Sequence, residues 1–112
     1  MLPRKNRLRE ERDIKRIFLK GERFNSPFFT LISLTNINKE SRATVIVSKK
    51  YDKRAVYRNK LKRKFRETIH HSILSLRPSS DIIILPKANS KDTSFYKLQE
   101  SFKEIFKKLN NN

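Results

Sequence analysis

One stretch limits what this chain can become: Ser48 to Glu67. Between Lys49 and Arg66 it holds ten Lys or Arg residues and one acid, Asp52. From Ala55 onward the same stretch has helical periodicity. Tyr57, Leu61, Phe65, Ile69 and Ile73 recur every four residues, and Leu76 extends that side. At about 100° per residue these positions drift slowly round one broad apolar face, which predicts a helix from about Ala55 to Leu76. Asn59, Lys62, Arg63 and Arg66 fall together on an adjoining arc. One helix must therefore bury one face and carry dense positive charge beside it. Like charges at i,i+4 oppose a helix, and a polyanion would relieve that repulsion. Nucleic acid is the commonest such partner; a solvated basic face is the bland alternative.

The whole chain shares this bias. Its 112 residues carry 28 basic and 11 acidic side chains, a net charge of +17. That excess is far beyond what solubility needs and points to phosphate-rich partners. The length suits one domain, residues 1–112, and eight Phe and three Tyr supply much of the bulk for one core. Cysteine is absent, which excludes a disulfide framework and thiolate chemistry. No apolar run approaches the roughly 20 residues of a membrane span, and no apolar segment follows the basic N-terminus as a secretion signal requires. The expectation is a soluble cytoplasmic protein with no membrane partner.

The remaining elements read as follows. Residues 1–8 form a basic, extended arm. Ile14, Ile17 and Phe18 predict a helix from Glu10 to Lys20, with Gly21 as its C′ cap. Phe28 to Leu34 and Ala43 to Ser48 are rich in β-formers and predict two strands, antiparallel across the polar turn between them. Pro78 ends the basic helix. Asp81 to Leu85 is a continuous apolar run, as in a strand buried on both faces. Residues 87–92 are a polar loop, and Asp92, Thr93 and Ser94 offer N-cap oxygens to a last helix built on Leu98, Phe102, Ile105, Phe106 and Leu109. Residues 110–112 are a frayed tail. The fold class is α+β, a small α-β-β-α-β-α sandwich.

No catalytic constellation accompanies these elements. His70 and His71 are adjacent, so they project about 100° apart and cannot share a metal. A single glycine excludes phosphate-binding and dinucleotide-binding turns. No Ser has an evident His and Asp pair. The expectation is a polypeptide with no active site and no metal site of its own.

Arg58-Asn59-Lys60-Leu61-Lys62-Arg63, with Arg66 one turn on, resembles the RNR signature of the protein subunit of bacterial ribonuclease P. The resemblance spans most of the chain. Asn6-Arg7-Leu8 is similar to the family's lead-in to its first helix, and Phe18 and Gly21 match the Phe and Gly that end it. Val47-Ser48-Lys49-Lys50 resembles the segment between strand and basic helix, and Asp81 to Leu85 the late strand. Three positions depart from the pattern. Lys60 replaces an Arg, keeping charge but losing the planar fork. Ile14 stands at a Phe position and Ile32 at an aromatic one, which bears on any stacking there.

The resemblance implies a fold similar to the second domain of ribosomal protein S5, with a left-handed β-α-β crossover carrying the basic helix. It implies a subunit that assists a catalytic RNA in removing the 5′ leader of precursor tRNA. The RNA would perform the chemistry with its own Mg2+, and the protein would bind no cofactor. Arg58, Asn59, Lys60, Lys62 and Arg63 would bind the catalytic RNA. Ile14, Phe18, Thr30, Ile32, Lys50 and Arg66 would hold the leader. Cationic channels with apolar or aromatic walls suit single strands. A ribosomal or ribosome-assembly protein would show the same charge without needing the ordered set Asn6-Arg7-Leu8, Ser48-Lys49-Lys50 and Arg58-Asn59. A DNA-binding helix-turn-helix lacks support because strands flank the basic helix. The long apolar strands argue against a membrane-surface helix.

Overall fold

The computed structural model describes residues 4–37, 40–49, 53–74, 76, 78–87, 90 and 93–110. A 3-10 turn, Arg4–Asn6, precedes α1 (Glu11–Lys20), β1 (Glu22–Asn25), β2 (Phe29–Thr35), β3 (Arg42–Val45), α2 (Ala55–Leu74), β4 (Ser80–Pro86) and α3 (Phe95–Asn110). The strands form one sheet in the order β1-β2-β4-β3. β2 is antiparallel to both β1 and β4, and β3 runs parallel to β4.

Alternation along the strands divides the core in two. Phe29, Leu31, Ala43, Val45, Ile82 and Ile84 face α2 and α3, where they meet Leu61, Phe65, Ile69, Phe102 and Phe106. Phe29 stacks on Phe102 with ring centroids 4.3 Å apart, and Phe65 meets both edge-on at 5.8 and 6.0 Å. The opposite face presents Ile32 and Ile83 to Ile17 of α1 and to Leu8. The periodicity of α2 is thus explained from Leu61 onward, where its apolar face is the lid of the larger core; Tyr57, the first of the periodic residues, lies outside that core and is exposed.

Several expectations from the sequence are corrected. β2 and β3 do not pair; β4 lies between them. A strand as apolar as Ile82-Ile83-Ile84 gains most from neighbours on both edges and cover on both faces, so it takes the centre. β1 is an addition to the expected elements. Its residues Glu22, Arg23 and Asn25 are exposed, and it exists as an edge strand across a tight turn. In that turn Ser26 Oγ accepts from the Phe28 and Phe29 N–H groups, each at 3.1 Å.

Gly21 is not a left-handed cap. Its backbone is extended, φ −73° and ψ 156°, while its N–H still donates to the Ile17 carbonyl at 2.7 Å. Glycine is needed there because a Cβ would lie 2.5 Å from that carbonyl oxygen and 2.6 Å from Ile32 Cγ2. The basic arm is docked in its described part rather than extended. Asn6 and Leu8 are buried, Arg7 bridges to Ala43, and the Leu8 N–H donates to the Ala43 carbonyl at 3.0 Å, covering the free edge of β3. α2 ends at Leu74, with Leu76 buried just beyond, and Asn110 belongs to α3 rather than to a frayed tail. Ser94 is the N-cap of α3, accepting from the Lys97 N–H at 3.2 Å. Asp92 lies outside the described residues.

Candidate nucleic-acid interface

The basic helix leaves the core with a built surface. Asn59, Lys62, Arg63, Arg66 and Glu67 line one open pocket of about 340 Å³ on α2. Three cations and an amide converge there, against one carboxylate. Such a concavity suits phosphate oxygens, which Arg binds through a planar fork and Asn through its amide N–H.

Two signature residues stand apart from that pocket. Arg58 is half-buried, and its Nη1 donates to the Lys53 carbonyl at 2.8 Å, so its guanidinium is fixed across the start of α2. Lys60 projects from another flank, with Nζ 5.7 Å from the centre of the Tyr57 ring. The signature is contiguous in sequence, but a rotation of about 100° per residue distributes it round the helix.

The second surface lies on the α1 side of the sheet. Phe18 is 38 % exposed, and Ile14 is half-buried against the cluster of Leu8, Ile17, Ile32 and Ile83. Thr30 is half-buried on the same sheet face, and its hydroxyl donates to Asn25 Oδ1 at 2.9 Å. Ile32 is fully buried and offers nothing to a ligand, which corrects its place on the leader surface: α1 covers that part of β2. Lys50 lies outside the described residues. Arg66 lines the α2 pocket with the residues expected to bind catalytic RNA. The register also puts Arg23 opposite Ile32 and Asn25 opposite Thr30, so both β1 residues belong to the α1 face. Nothing in the polar Glu22-Arg23-Phe24-Asn25 string signals that role before the strand is known.

A polar network fixes α1 to this face. Arg42 donates from Nε and Nη2 to the two oxygens of buried Asp81 at 2.9 and 2.7 Å, and Asn36 Nδ2 donates to Asp81 at 2.8 Å. Asp13 of α1 lies 3.6 Å from Arg42 and accepts from Arg16 at 3.0 Å. The hydrogen bond to Asp81 raises the Arg42 pKa above its ordinary value, with burial opposing it. Among the described residues no three His, Cys, Asp or Glu side chains gather where a metal ion could be held. None of the described helices is long and apolar enough to cross a membrane.

Comparison with known proteins gives a consistent picture. The family model described as Ribonuclease P matches residues 2–110. The ribonuclease P protein component of Pseudanabaena sp. (strain PCC 6903) is 30 % identical over 109 residues, covering 96 % of this chain and 94 % of that protein. That of Aliivibrio salmonicida (strain LFI1238) is 34 % identical over 106 residues, covering 95 % and 86 %. Among solved structures, the RNase P protein from Thermotoga maritima superposes with a TM-score of 0.79 at 26 % identity, over 95 % of this chain and 96 % of that one. The RNase P protein from Staphylococcus aureus gives 0.76 at 30 % identity, over 91 % and 93 %.

Proposed function

The chain belongs to the ribonuclease P protein family, and on that footing we propose how its two surfaces divide the work of tRNA 5′ maturation. As the protein component it partners the ribonuclease P RNA. The pocket of Asn59, Lys62, Arg63 and Arg66 grips phosphates of that RNA, with Arg58 holding the start of α2 in place. The half-open face of Phe18, Ile14 and Thr30 takes the single-stranded 5′ leader of precursor tRNA, with Asn25 orienting the Thr30 hydroxyl. Two large RNAs repel one another, and a chain of net charge +17 between them lowers that repulsion. The Mg2+ requirement and the bond cleavage belong to the RNA, in the cytoplasm.

The observation that carries this reading is Phe18. It ends the apolar stripe of α1, yet it is 38 % exposed beside a sheet face that α1 covers only in part. The test is Phe18→Ala in the reconstituted holoenzyme. Base–aromatic stacking is worth about 1–3 kcal/mol, so preference for leader-bearing over mature tRNA should fall by about fivefold or more. The thermal midpoint should drop less than for a fully buried Phe, whose deletion costs about 3–5 kcal/mol. An unchanged preference in a folded variant refutes the leader role.

A further inference from the structure

The pocket described above occupies one flank of α2. Tyr57, Lys60 and Lys64 lie on another, within about 60° of each other and roughly opposite Lys62 and Arg66 at 100° per residue. The Tyr57 ring is 38 % exposed, with the Arg54 guanidinium 3.9 Å from its centre and Lys60 Nζ at 5.7 Å. Lys64 donates to the Thr93 carbonyl, which ties the start of α3 to this flank. Two residues on, Phe95 and Tyr96 stand 42 % and 69 % exposed, followed by exposed Lys97. The surface therefore interleaves three exposed aromatics with three lysines. Acids lie nearby: Glu67, at the edge of the α2 pocket, is about 20° from Lys60 and borders this flank, and Glu100 pairs with Lys103 at 3.7 Å.

Phe95 and Tyr96 precede the apolar stripe of α3, which begins at Leu98 and fills the core without them. Exposed rings among cations are what sequence-tolerant recognition of unpaired RNA uses: bases stack on the rings while ammonium groups meet phosphates. A protein partner fits less well, because lysine is depleted from protein–protein interfaces. We propose that this flank is a second RNA contact, taking an unpaired segment of the catalytic RNA. α2 then lies between two RNA elements, phosphates on its Lys62–Arg66 side and stacked bases on its Tyr57–Lys64 side. The inference rests on the function proposed above.

The double variant Phe95→Ala/Tyr96→Ala, assembled with ribonuclease P RNA, tests it. Affinity should fall by about tenfold, since one or two stacked bases are lost. The dependence of affinity on salt and the preference for leader-bearing substrate should not change, because no charge and no α1-side residue is altered. The chain has no tryptophan, so Tyr96→Trp supplies a single reporter whose fluorescence should be quenched on RNA binding. Tyr96→Ala alone repeats the affinity measurement if the double variant folds poorly. Wild-type affinity in the alanine variants, with an unquenched tryptophan reporter, overturns the proposal, as does loss of self-association with RNA affinity intact. Failure of the wild-type chain to assemble with the RNA would instead overturn the underlying function.

Discussion

Replacing Lys62, Arg63 and Arg66 by alanine tests the pocket on α2 quantitatively. Each phosphate contact releases condensed counterions and contributes about 0.7 to 0.9 to the slope of log affinity against log salt. Three contacts are therefore worth a slope of about 2 to 2.7. Between 50 and 200 mM salt the wild type should lose about 20- to 40-fold more affinity for ribonuclease P RNA than the triple variant. Stability should move little. Lys62 faces like charges four residues away on both sides, at Arg58 and Arg66, each pair opposing the helix by about 0.2–0.5 kcal/mol. Alanine is also the best helix former. Only the Arg63–Glu67 spacing loses a favourable i,i+4 pair. Filter binding across a salt series, with a thermal melt of the free protein, measures both quantities. A triple variant with the wild-type salt slope would show that these residues are a solvated face. A weaker affinity that comes with a large fall in melting temperature and no change of slope would show that they matter only to the fold.

Two further substitutions probe how α1 is held against the sheet. Gly21→Ala should cost at least about 1–3 kcal/mol, the usual penalty of overpacking, because its Cβ meets backbone and Ile32 at once. Gly21→Asn should be no milder, whereas Asn is tolerated in a left-handed cap; urea titration in which Asn restores stability would overturn the steric account. Asp81→Ala removes three hydrogen bonds and leaves Arg42 buried for most of its length with Asp13 at 3.6 Å. Breaking such a pair costs about 3–5 kcal/mol, so the urea midpoint should fall with its slope unchanged; a shift below about 1 kcal/mol would show the network to be loosely solvated.

What could be read from the sequence was what local pattern encodes. The four-residue spacing from Tyr57 to Ile73 made α2 legible, and the unbroken Ile82-Ile83-Ile84 run made β4 legible as a strand buried on both faces. Sheet order was not legible, because proximity in sequence favours a β2–β3 hairpin while the central place goes to the most apolar strand, and that competition is non-local. β1 escaped because its existence depends on a free edge of β2 and a serine-capped turn, not on its own composition. At Gly21 the sequence marked where α1 ends but not why, since the neighbour that forbids a Cβ, Ile32, is eleven residues on. For the site, the signature named Asn59, Lys62 and Arg63 of the α2 pocket but also Lys60, which the helical turn sends to another flank, while Arg66, expected on the leader surface, and Glu67 complete the lining. The alternation of β2 set Ile32 on the α1 face, but only packing shows that α1 seals it while leaving Phe18 exposed.

The charge of α2 is intelligible only with its core face. Its first turn has no acidic residue, whereas α1 begins with Glu11 and Asp13. Cations at Lys53, Arg54, Arg58 and Lys60 therefore crowd the positive end of the helix dipole, where negative charge is favoured. Taken alone this would be a poor helix start. It is held by Leu61 and Phe65, both buried in the larger core, and by the Arg58 guanidinium reaching back to the Lys53 carbonyl. Packing thus maintains an electrostatic arrangement that the isolated segment would resist. RNA phosphates bound along α2 would supply the negative charge its first turn lacks. The same repulsion that weakens the free helix then adds to affinity for RNA, which is why a chain of this size can hold so many like charges on one element.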